Sequence, residues 1–326
     1  MNLTPFPALP LSEWQDTAQT LHMWTQIVGK IRLALTARVN QWWNVPLYVT
    51  SRGLTTSPMP YGERAFEIDF DLVDHRLDLK CDDGRTESIG LRPMSVADFY
   101  AEVMKTMNKL GIDVKIWTMP VEIPDPIPFE KDDQHKSYDA EQANRFWQIL
   151  AQVARVFYEF RSRFTGKCSP VHFFWGSFDL AVTRFSGKPA EPKPDADLIT
   201  RLSYNAELSS VGFWPGGPVF DGPMFYSYTF PEPAGFREQR VLPAAAFYDK
   251  NLGEFLLKYN DVRNAAEPRS AILDFAQTTY EAGARLQGWP VERFELETAA
   301  MTAAADADPS RPVSEMASSK VPNTGG

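Results

Sequence analysis

Apolar and polar residues recur along the chain with two different periods, which predict helices and strands in a regular order. A first helix is predicted from Ser12, where Ser12-Glu-Trp-Gln fits a capping box. Its buried stripe, at helical spacing, consists of Trp14, Ala18, Leu21, Trp24, Val28, Ile31 and Leu35. The opposite stripe predicts a solvated face and consists of Gln15, Gln19, His22, Gln26 and Lys30.

A period of two follows and predicts an antiparallel meander. Apolar residues at 66, 68, 70 and 72 alternate with acidic residues at 67, 69 and 71, the pattern of a sheet with one wet face. Asp82-Asp-Gly-Arg85 predicts a hairpin turn because Asp-Gly tolerates a positive φ. A second helix is predicted from Ser95, with Ser95 as its cap, and one more strand over 112–116.

The rest of the chain repeats the order of helix, strands and helix. Helices are predicted over 139–164, 252–263 and 270–286, and extended segments near 170–185, 203–213 and 224–230. The predicted fold class is α+β, with antiparallel β-meanders covered by helices. The matching strand ends Val49-Thr-Ser-Arg52 and Val182-Thr-Arg184 suggest two topologically similar halves, although chance explains that order equally well.

Composition divides the chain into five predicted parts. Residues 1–11 form an N-terminal arm, 12–117 the first α+β half and 139–297 the second. Residues 118–138 are predicted to be a linker, because prolines block helices and inner strands and charged residues follow them. Residues 298–326 are predicted to be a disordered tail, since they contain almost no large apolar residue.

Charge and cysteine content exclude several classes of protein. The 326 residues carry a net charge of −9 and no dense Lys/Arg block, so a nucleic-acid partner is not expected. Two cysteines, Cys81 and Cys168, exclude a disulfide framework and a cysteine-rich zinc site. No signal peptide and no apolar run of about 20 residues is present, so we expect a cytoplasmic location and no membrane partner. The oligomeric state cannot be read from the sequence.

The strongest candidate site lies in the extended segment 170–187, where ionisable residues stand among aromatic ones. His172 is a candidate acid or base because its ordinary pKa of about 6.5 allows both protonation states near neutrality. Asp179 is a candidate helper that orients it. A turn at Gly176-Ser177 would place Phe174 opposite Asp179, so Asp179 would neighbour His172 without pairing directly. A hydrogen-bonded structural histidine and a solvated carboxylate are the competing interpretations.

Four further residues are candidates for ligand binding. Arg184 shares an apolar strand face, so its charge needs a partner, which is either Glu207 or an anionic group of a ligand. Arg52, at the matching strand end of the first half, receives the same interpretation, and Trp175 and Glu207 are expected to border the pocket. The sequence contains no phosphate-binding glycine loop, His-Glu-x-x-His or Gly-x-Ser-x-Gly, and only four histidines. We therefore expect no metal and no cofactor.

Three segments resemble a bacterial family known only as a domain of unknown function, number 5996. They are Leu21-His-Met-Trp-Thr-Gln-Ile-Val-Gly-Lys-Ile-Arg32, His172-Phe-Phe-Trp-Gly-Ser-Phe-Asp-Leu-Ala-Val-Thr-Arg-Phe-Ser-Gly187 and Glu207-Leu-Ser-Ser-Val-Gly-Phe-Trp-Pro-Gly216. The resemblance covers nearly the whole chain before the tail and implies one coherent unit. It implies no activity.

Two functional hypotheses remain open from the sequence. The first is an enzyme acting on a small anionic or polar metabolite in an aromatic-lined pocket, with His172 as acid or base and Arg184 as anion anchor. The second is a non-catalytic protein that uses the same pocket to bind a small ligand or a protein. Geometry separates them, because an enzyme needs His172 beside a second polar group and facing an open cleft.

Overall fold

The first half of the chain forms one long helix, a sheet and a second helix. The computed structural model describes residues 5–192, 194–217, 220 and 222–295. The helices of the first half are α1 (Leu11–Leu35) and α2 (Val96–Lys109). Its strands are β1 (Tyr48–Val49), β2 (Gly53–Thr55), β3 (Met59–Tyr61), β4 (Arg64–Asp71), β5 (Arg76–Cys81) and β6 (Thr86–Gly90).

The second half repeats this plan with more helices. Its helices are α3 (Ala140–Ser162), α4 (Leu198–Ser203), α5 (Tyr259–Arg263), α6 (Pro268–Leu286) and α7 (Val291–Phe294). Its strands are β7 (His172–Phe174), β8 (Asp179–Pro189), β9 (Ala206–Trp214), β10 (Met224–Phe230), β11 (Phe247–Asp249) and β12 (Glu254–Lys258). The predicted α+β class with antiparallel sheets is confirmed.

Each half contributes a six-stranded antiparallel sheet, and the two sheets meet edge to edge. The first has the order β1-β2-β4-β5-β6, with β3 also paired to β4. The second has the order β11-β12-β10-β9-β8-β7. In its last hairpin, β12 pairs with β10 and β11 forms the edge, so these two strands do not follow chain order. The halves therefore agree in element order but not at the far edge of the sheet. Leu47 and Phe173 exchange two backbone hydrogen bonds of 2.9 Å, which join the edge near β1 to β7.

The two halves share one apolar core. The Phe146 ring of α3 lies 5.0 Å from the Trp14 ring of α1 and 6.2 Å from the Phe173 ring of β7. Buried apolar residues from both sheets and from the long helices belong to the same continuous cluster. One face of the second sheet packs on α3 and α6, and we call it the inner face. The opposite face, which carries His172 and Tyr226, is called the outer face below.

The prediction of a solvated stripe on α1 was wrong in the second half of the helix, because Gln15 and Gln19 are exposed but Gln26 and Lys30 are buried. Gln26 is fully buried and its side-chain amide exchanges hydrogen bonds of 2.8 and 2.9 Å with the backbone of Val121. Lys30 is 5% exposed, and its Nζ lies 4.7 Å from the centre of the Trp117 ring. Burial lowers the pKa of Lys30 to about 8. The segment after residue 116 covers this stripe, which periodicity alone cannot reveal.

Three other local predictions need correction. The helix begins at Leu11 with Pro10 at the N-cap and no side-chain cap, so Ser12 forms no capping box. Residues 112–116 form no strand, and the helix predicted over 252–263 is instead β12 followed by the short α5. The cap of α2 is confirmed, because the Ser95 hydroxyl accepts a hydrogen bond of 3.0 Å from the Asp98 amide.

The proline-rich segment 118–138 packs onto the body of the protein. Phe129 and Asp132 within it are fully buried. Asp132 accepts hydrogen bonds from the amide and from Nδ1 of His135, at 3.1 and 2.7 Å. The role of segment 118–138 as a linker between two halves of the chain stays a prediction. The predicted disordered tail, 298–326, lies outside the described residues.

Candidate functional site

Strands β7 and β8 form a tight hairpin whose register agrees with the sequence prediction. The turn spans Trp175 to Phe178, with Phe178 at a φ of 58°. His172 pairs with Ala181 and Phe174 with Asp179, so His172 and Asp179 point to the same face without being direct partners. This face is the outer face of the sheet. Ala181 lies between His172 of β7 and Gly212 of β9 on this face.

Asp179 is almost completely buried and is held by two hydroxyl groups. The Ser177 hydroxyl and the Tyr226 hydroxyl each donate a short hydrogen bond to its carboxyl group. Burial raises the pKa of Asp179 to about 6, and the hydrogen bonds from Ser177 and Tyr226 oppose that rise. The carboxyl group can therefore gain or lose a proton close to neutral pH.

The contact between Tyr226 and Asp179 depends on a glycine. One row of the outer face crosses four strands and consists of His172, Ala181, Gly212 and Tyr226. The Tyr226 ring starts on β10 and lies over Gly212 of β9, where an added Cβ would overlap the ring. Only glycine leaves room for this crossing. Trp214 stacks on the same ring, with centroids 4.2 Å apart, and holds it in place.

Other polar side chains of the outer face surround this pair. The hydroxyls of Tyr204 and Tyr228 lie 2.9 Å apart, as do those of Thr183 and Ser210. Burial raises the pKa of Glu254 to about 7, and the charge of Asp179 adds to that rise. The ion pairs found among the described residues do not include Asp179 or Glu254. This part of the face therefore carries carboxyl groups with raised pKa values and hydroxyl groups beside them.

His172 lies in an aromatic environment at the junction of the two sheets. It is fully buried, and its ring centroid lies 5.4, 5.6 and 6.0 Å from those of Phe174, Tyr48 and Trp43. No group among the described residues forms a hydrogen bond with either ring nitrogen. Burial lowers the pKa of His172 to about 3, and the charges of Arg32 and Arg161 lower it further. The imidazole is therefore neutral near pH 7.

Arg184 lies on the inner face, as predicted, but it does not pair with Glu207. Its side chain is fully buried; the guanidinium donates a short hydrogen bond to the Phe160 carbonyl and lies 3.4 Å from Oε1 of Glu295. Its Cζ is 3.5 Å from the centre of the Phe160 ring and 4.4 Å from that of Tyr280. Glu207 instead lies 3.9 Å from Nζ of Lys188. Periodicity could not identify Glu295 as a partner.

The remaining predicted residues lie apart from this group. Arg52 is half exposed and forms ion pairs of 2.7 Å with both Asp71 and Asp74 in the first half. The Trp175 indole N–H donates to the Val45 carbonyl at 2.8 Å and its ring packs against Gly29 of α1. Of the six candidates, His172 and Asp179 share the outer face of the hairpin, and Arg184 and Glu207 each pair with another residue. A catalytic or binding role for each stays a prediction.

The match to a known family extends over almost all of the described chain. A family described as "Family of unknown function (DUF5996)" matches residues 6–296. The chain belongs to this family. The match confirms the resemblance seen in the three sequence segments. No curated protein and no solved structure matches the chain.

Sequence reasoning missed several residues of the outer face. Tyr226 and Gly212 were not predicted, because the contact between Tyr226 and Asp179 spans an intervening strand. Gly212 within an apolar strand was the available signal, since such a glycine often marks a close approach. Tyr48, whose ring packs against His172, and Arg32, whose charge acts on it, lie more than a hundred residues away in sequence.

Other surface features lie away from the outer face. A groove of about 460 Å³ lies beside the start of α1 and is lined by Glu13, Asp16 and Lys136 among others. None of the six predicted residues lines it. Within the described ranges, no three His, Cys, Asp or Glu side chains are arranged to hold a metal ion. No helix in that part of the chain is long and apolar enough to cross a bilayer.

Proposed function

We propose that this chain is an enzyme that binds a small polar metabolite on the outer face of its second sheet. Asp179 is the proposed acid or base. The supporting observation is the buried hydrogen bond from Tyr226 across Gly212, which orients a carboxyl group whose pKa is raised to about 6. A group with a pKa near the working pH is suited to general acid–base catalysis.

The surrounding residues support a proton transfer at Asp179. The pKa of Tyr226 is raised well above its ordinary value by burial and by the charge of Asp179, so Tyr226 stays protonated and donates its hydrogen bond. Ser177 donates the second. Glu254, with a pKa raised to about 7, is a second carboxyl group able to carry a proton on the same face.

His172 and Arg184 take other roles in this proposal than the sequence suggested. An imidazole with a pKa near 3 is a weak base at neutral pH, so His172 is proposed to bind the ligand rather than to move its proton. Arg184, fully buried on the inner face, is proposed to be structural. The expected bacterial origin, cytoplasmic location and lack of a nucleic-acid partner stay predictions from composition.

A non-catalytic ligand-binding protein is the second candidate. It is favoured by the three aromatic rings around the neutral His172, because such a setting suits recognition without chemistry. In that case Asp179 and Tyr226 would hold the sheet together and carry out no proton transfer.

Thermal-shift screening against a panel of amino acids, sugars, nucleosides and small carboxylic acids tests both candidates. We expect at least one compound to raise the melting temperature of the wild type but not that of His172→Phe. Wild-type turnover of that compound, with Asp179→Asn binding it but forming no product, supports the enzyme. Binding without product in the wild type supports the second candidate. Equal stabilisation of wild type, His172→Phe and Asp179→Asn by every compound refutes a site on this face, and Arg52→Met serves as the surface control.

A further inference from the structure

The Tyr48 ring connects two buried basic side chains at the junction of the sheets. Its centroid lies 5.6 Å from that of His172 and 5.6 Å from Cζ of Arg32. Arg32 lies in the last turn of α1 and is 7% exposed, while His172 is fully buried on β7. Residues from opposite halves of the chain therefore pack against the same ring next to the outer face.

Both basic side chains have hydrogen-bonding atoms without a protein partner. These atoms are Nδ1 and Nε2 of His172 and Nε of Arg32, and all three are buried. Another Arg32 nitrogen is satisfied, since it donates to the Thr56 carbonyl. A buried donor or acceptor without a partner costs as much as a lost hydrogen bond, so several such atoms around one ring indicate a site for a polar ligand.

The charge around His172 specifies the type of ligand. The charges that act on its pKa are those of Arg32 and Arg161, and both are positive. Lys167 lies close by, with Nζ 5.2 Å from the centre of the Trp43 ring. The carboxyl groups of the outer face stand around Asp179, further along the hairpin. An anionic group is thus favoured at the His172 end of the face and a proton-exchanging group at the Asp179 end.

We propose that Arg32 and His172 form an oxyanion subsite that binds a carboxylate or phosphate group of the ligand. The Nε–H of Arg32 and the ring N–H of the neutral imidazole are the two donors, and a charged donor suits either oxyanion. Trp43, Tyr48 and Phe174 are only partly buried and form apolar walls for the ligand's body. This inference rests on the proposed function, because it names the ligand class of the same face.

Imidazole NMR provides a readout that does not depend on activity. The chain has four histidines, so replacing each by asparagine assigns every ¹⁵N imidazole signal. Sodium phosphate and sodium benzoate are titrated separately at constant pH, with sodium chloride at equal ionic strength as the control. We expect one or both oxyanions, but not chloride, to shift the His172 signals with saturation. A preference for phosphate or for benzoate shows which oxyanion the subsite takes.

Variants of Arg32 test its part in the subsite. Arg32→Met removes the charge and the donor, and we expect it to weaken the apparent affinity about 10- to 100-fold. The unchanged signals of His75 and His135 report that the variant is folded. Arg32→Lys keeps the charge without the Nε–H, so it should weaken affinity less than Arg32→Met does.

Asp179→Asn separates this inference from the proposed function. If the subsite exists and the enzyme proposal is wrong, the oxyanion still shifts His172 in wild type and in Asp179→Asn, and no compound is turned over. If the enzyme proposal is right and the subsite is wrong, turnover depends on Asp179 while neither oxyanion shifts His172. Shifts that chloride reproduces, or that never saturate, overturn the subsite whether or not the Arg32 variants fold.

Discussion

The Tyr226 hydroxyl donates a hydrogen bond to the Asp179 carboxyl group across a whole intervening strand. Neighbouring strands lie about 4.8 Å apart, so only a long side chain lying flat on the sheet can cover this distance. Gly212 supplies the flat surface, and Trp214 packs on the ring. Among the described residues no cation pairs with this buried carboxyl group, and neutral donors stabilise it.

Replacing Gly212 by alanine should break this contact. The added methyl group would overlap the Tyr226 ring, so the ring must move and the Asp179 carboxyl loses one of its two donors. We expect the free energy of unfolding to fall by about 1–3 kcal/mol, as overpacking and a lost buried hydrogen bond both predict. Urea denaturation followed by circular dichroism measures it. Gly90→Ala is the control, because the nearest atom to its added Cβ is an Arg92 side-chain nitrogen 3.8 Å away. Equal losses in the two variants would contradict this account.

Asp179 should make the protein less stable as the pH rises from about 4 to about 6. Its ordinary pKa is 3.8 and its folded pKa about 6, so within this window the unfolded chain has released a proton that the folded chain retains. The stability it contributes is therefore fully present below pH 3.8 and is lost as the pH rises through 6. At 1.36 kcal/mol per pKa unit, the loss amounts to about 3 kcal/mol.

Asparagine does not titrate, so Asp179→Asn should gain stability relative to wild type across the same window. Urea unfolding at pH 4, 5, 6 and 7 measures the difference. Asp113→Asn, which makes the same change of charge at an exposed position, should show no such trend. A constant difference between wild type and Asp179→Asn at every pH would show that the Asp179 carboxyl group titrates at its ordinary pKa.

His172 should act in the opposite direction. The ordinary pKa of His172 is 6.5 and its pKa in the folded protein is about 3. Below pH 6.5 the unfolded chain therefore binds a proton at this residue that the folded chain does not bind. The stability it contributes is present above pH 6.5 and is lost as the pH falls, by roughly 2–3 kcal/mol at pH 4.5. His172→Phe should lack this loss. An imidazole NMR titration in which the His172 signals change near pH 6.5 would refute the prediction.

The sequence was informative wherever the deciding contacts are local. The hairpin of β7 and β8, and with it the shared face of His172 and Asp179, follows from strand alternation and a four-residue turn. The placement of Arg184 on an apolar face follows in the same way. These inferences need only the two-residue period of a strand and the position of the turn.

The sequence was not informative where distant segments meet. Gln26 and Lys30 of the polar stripe of α1 are buried because the segment after residue 116 covers them, about ninety residues later along the chain. The partner of Arg184 proved to be Glu295, 111 positions away, rather than Glu207. A pattern of polar residues shows that a partner is needed, but only the packing of the whole chain shows which residue supplies it.

The two candidate anion anchors of the sequence should differ sharply in their effect on stability. Arg184→Met removes a fully buried guanidinium that donates to the Phe160 carbonyl and lies 3.4 Å from Glu295. We expect it to lower the free energy of unfolding by about 3–5 kcal/mol, the range for breaking a buried charged contact.

Arg52→Met is the matched comparison, since the arginine it replaces is half exposed and forms ion pairs with Asp71 and Asp74. The Arg52 guanidinium is half exposed, and buried Asp71 keeps a second cation, Arg76, at 3.6 Å, so the loss should be much smaller than for Arg184→Met. Urea denaturation of both variants at pH 7 measures the contrast. If Arg184→Met proved as stable as Arg52→Met, the buried guanidinium would not be structural, and its role as a ligand anchor would have to be considered again.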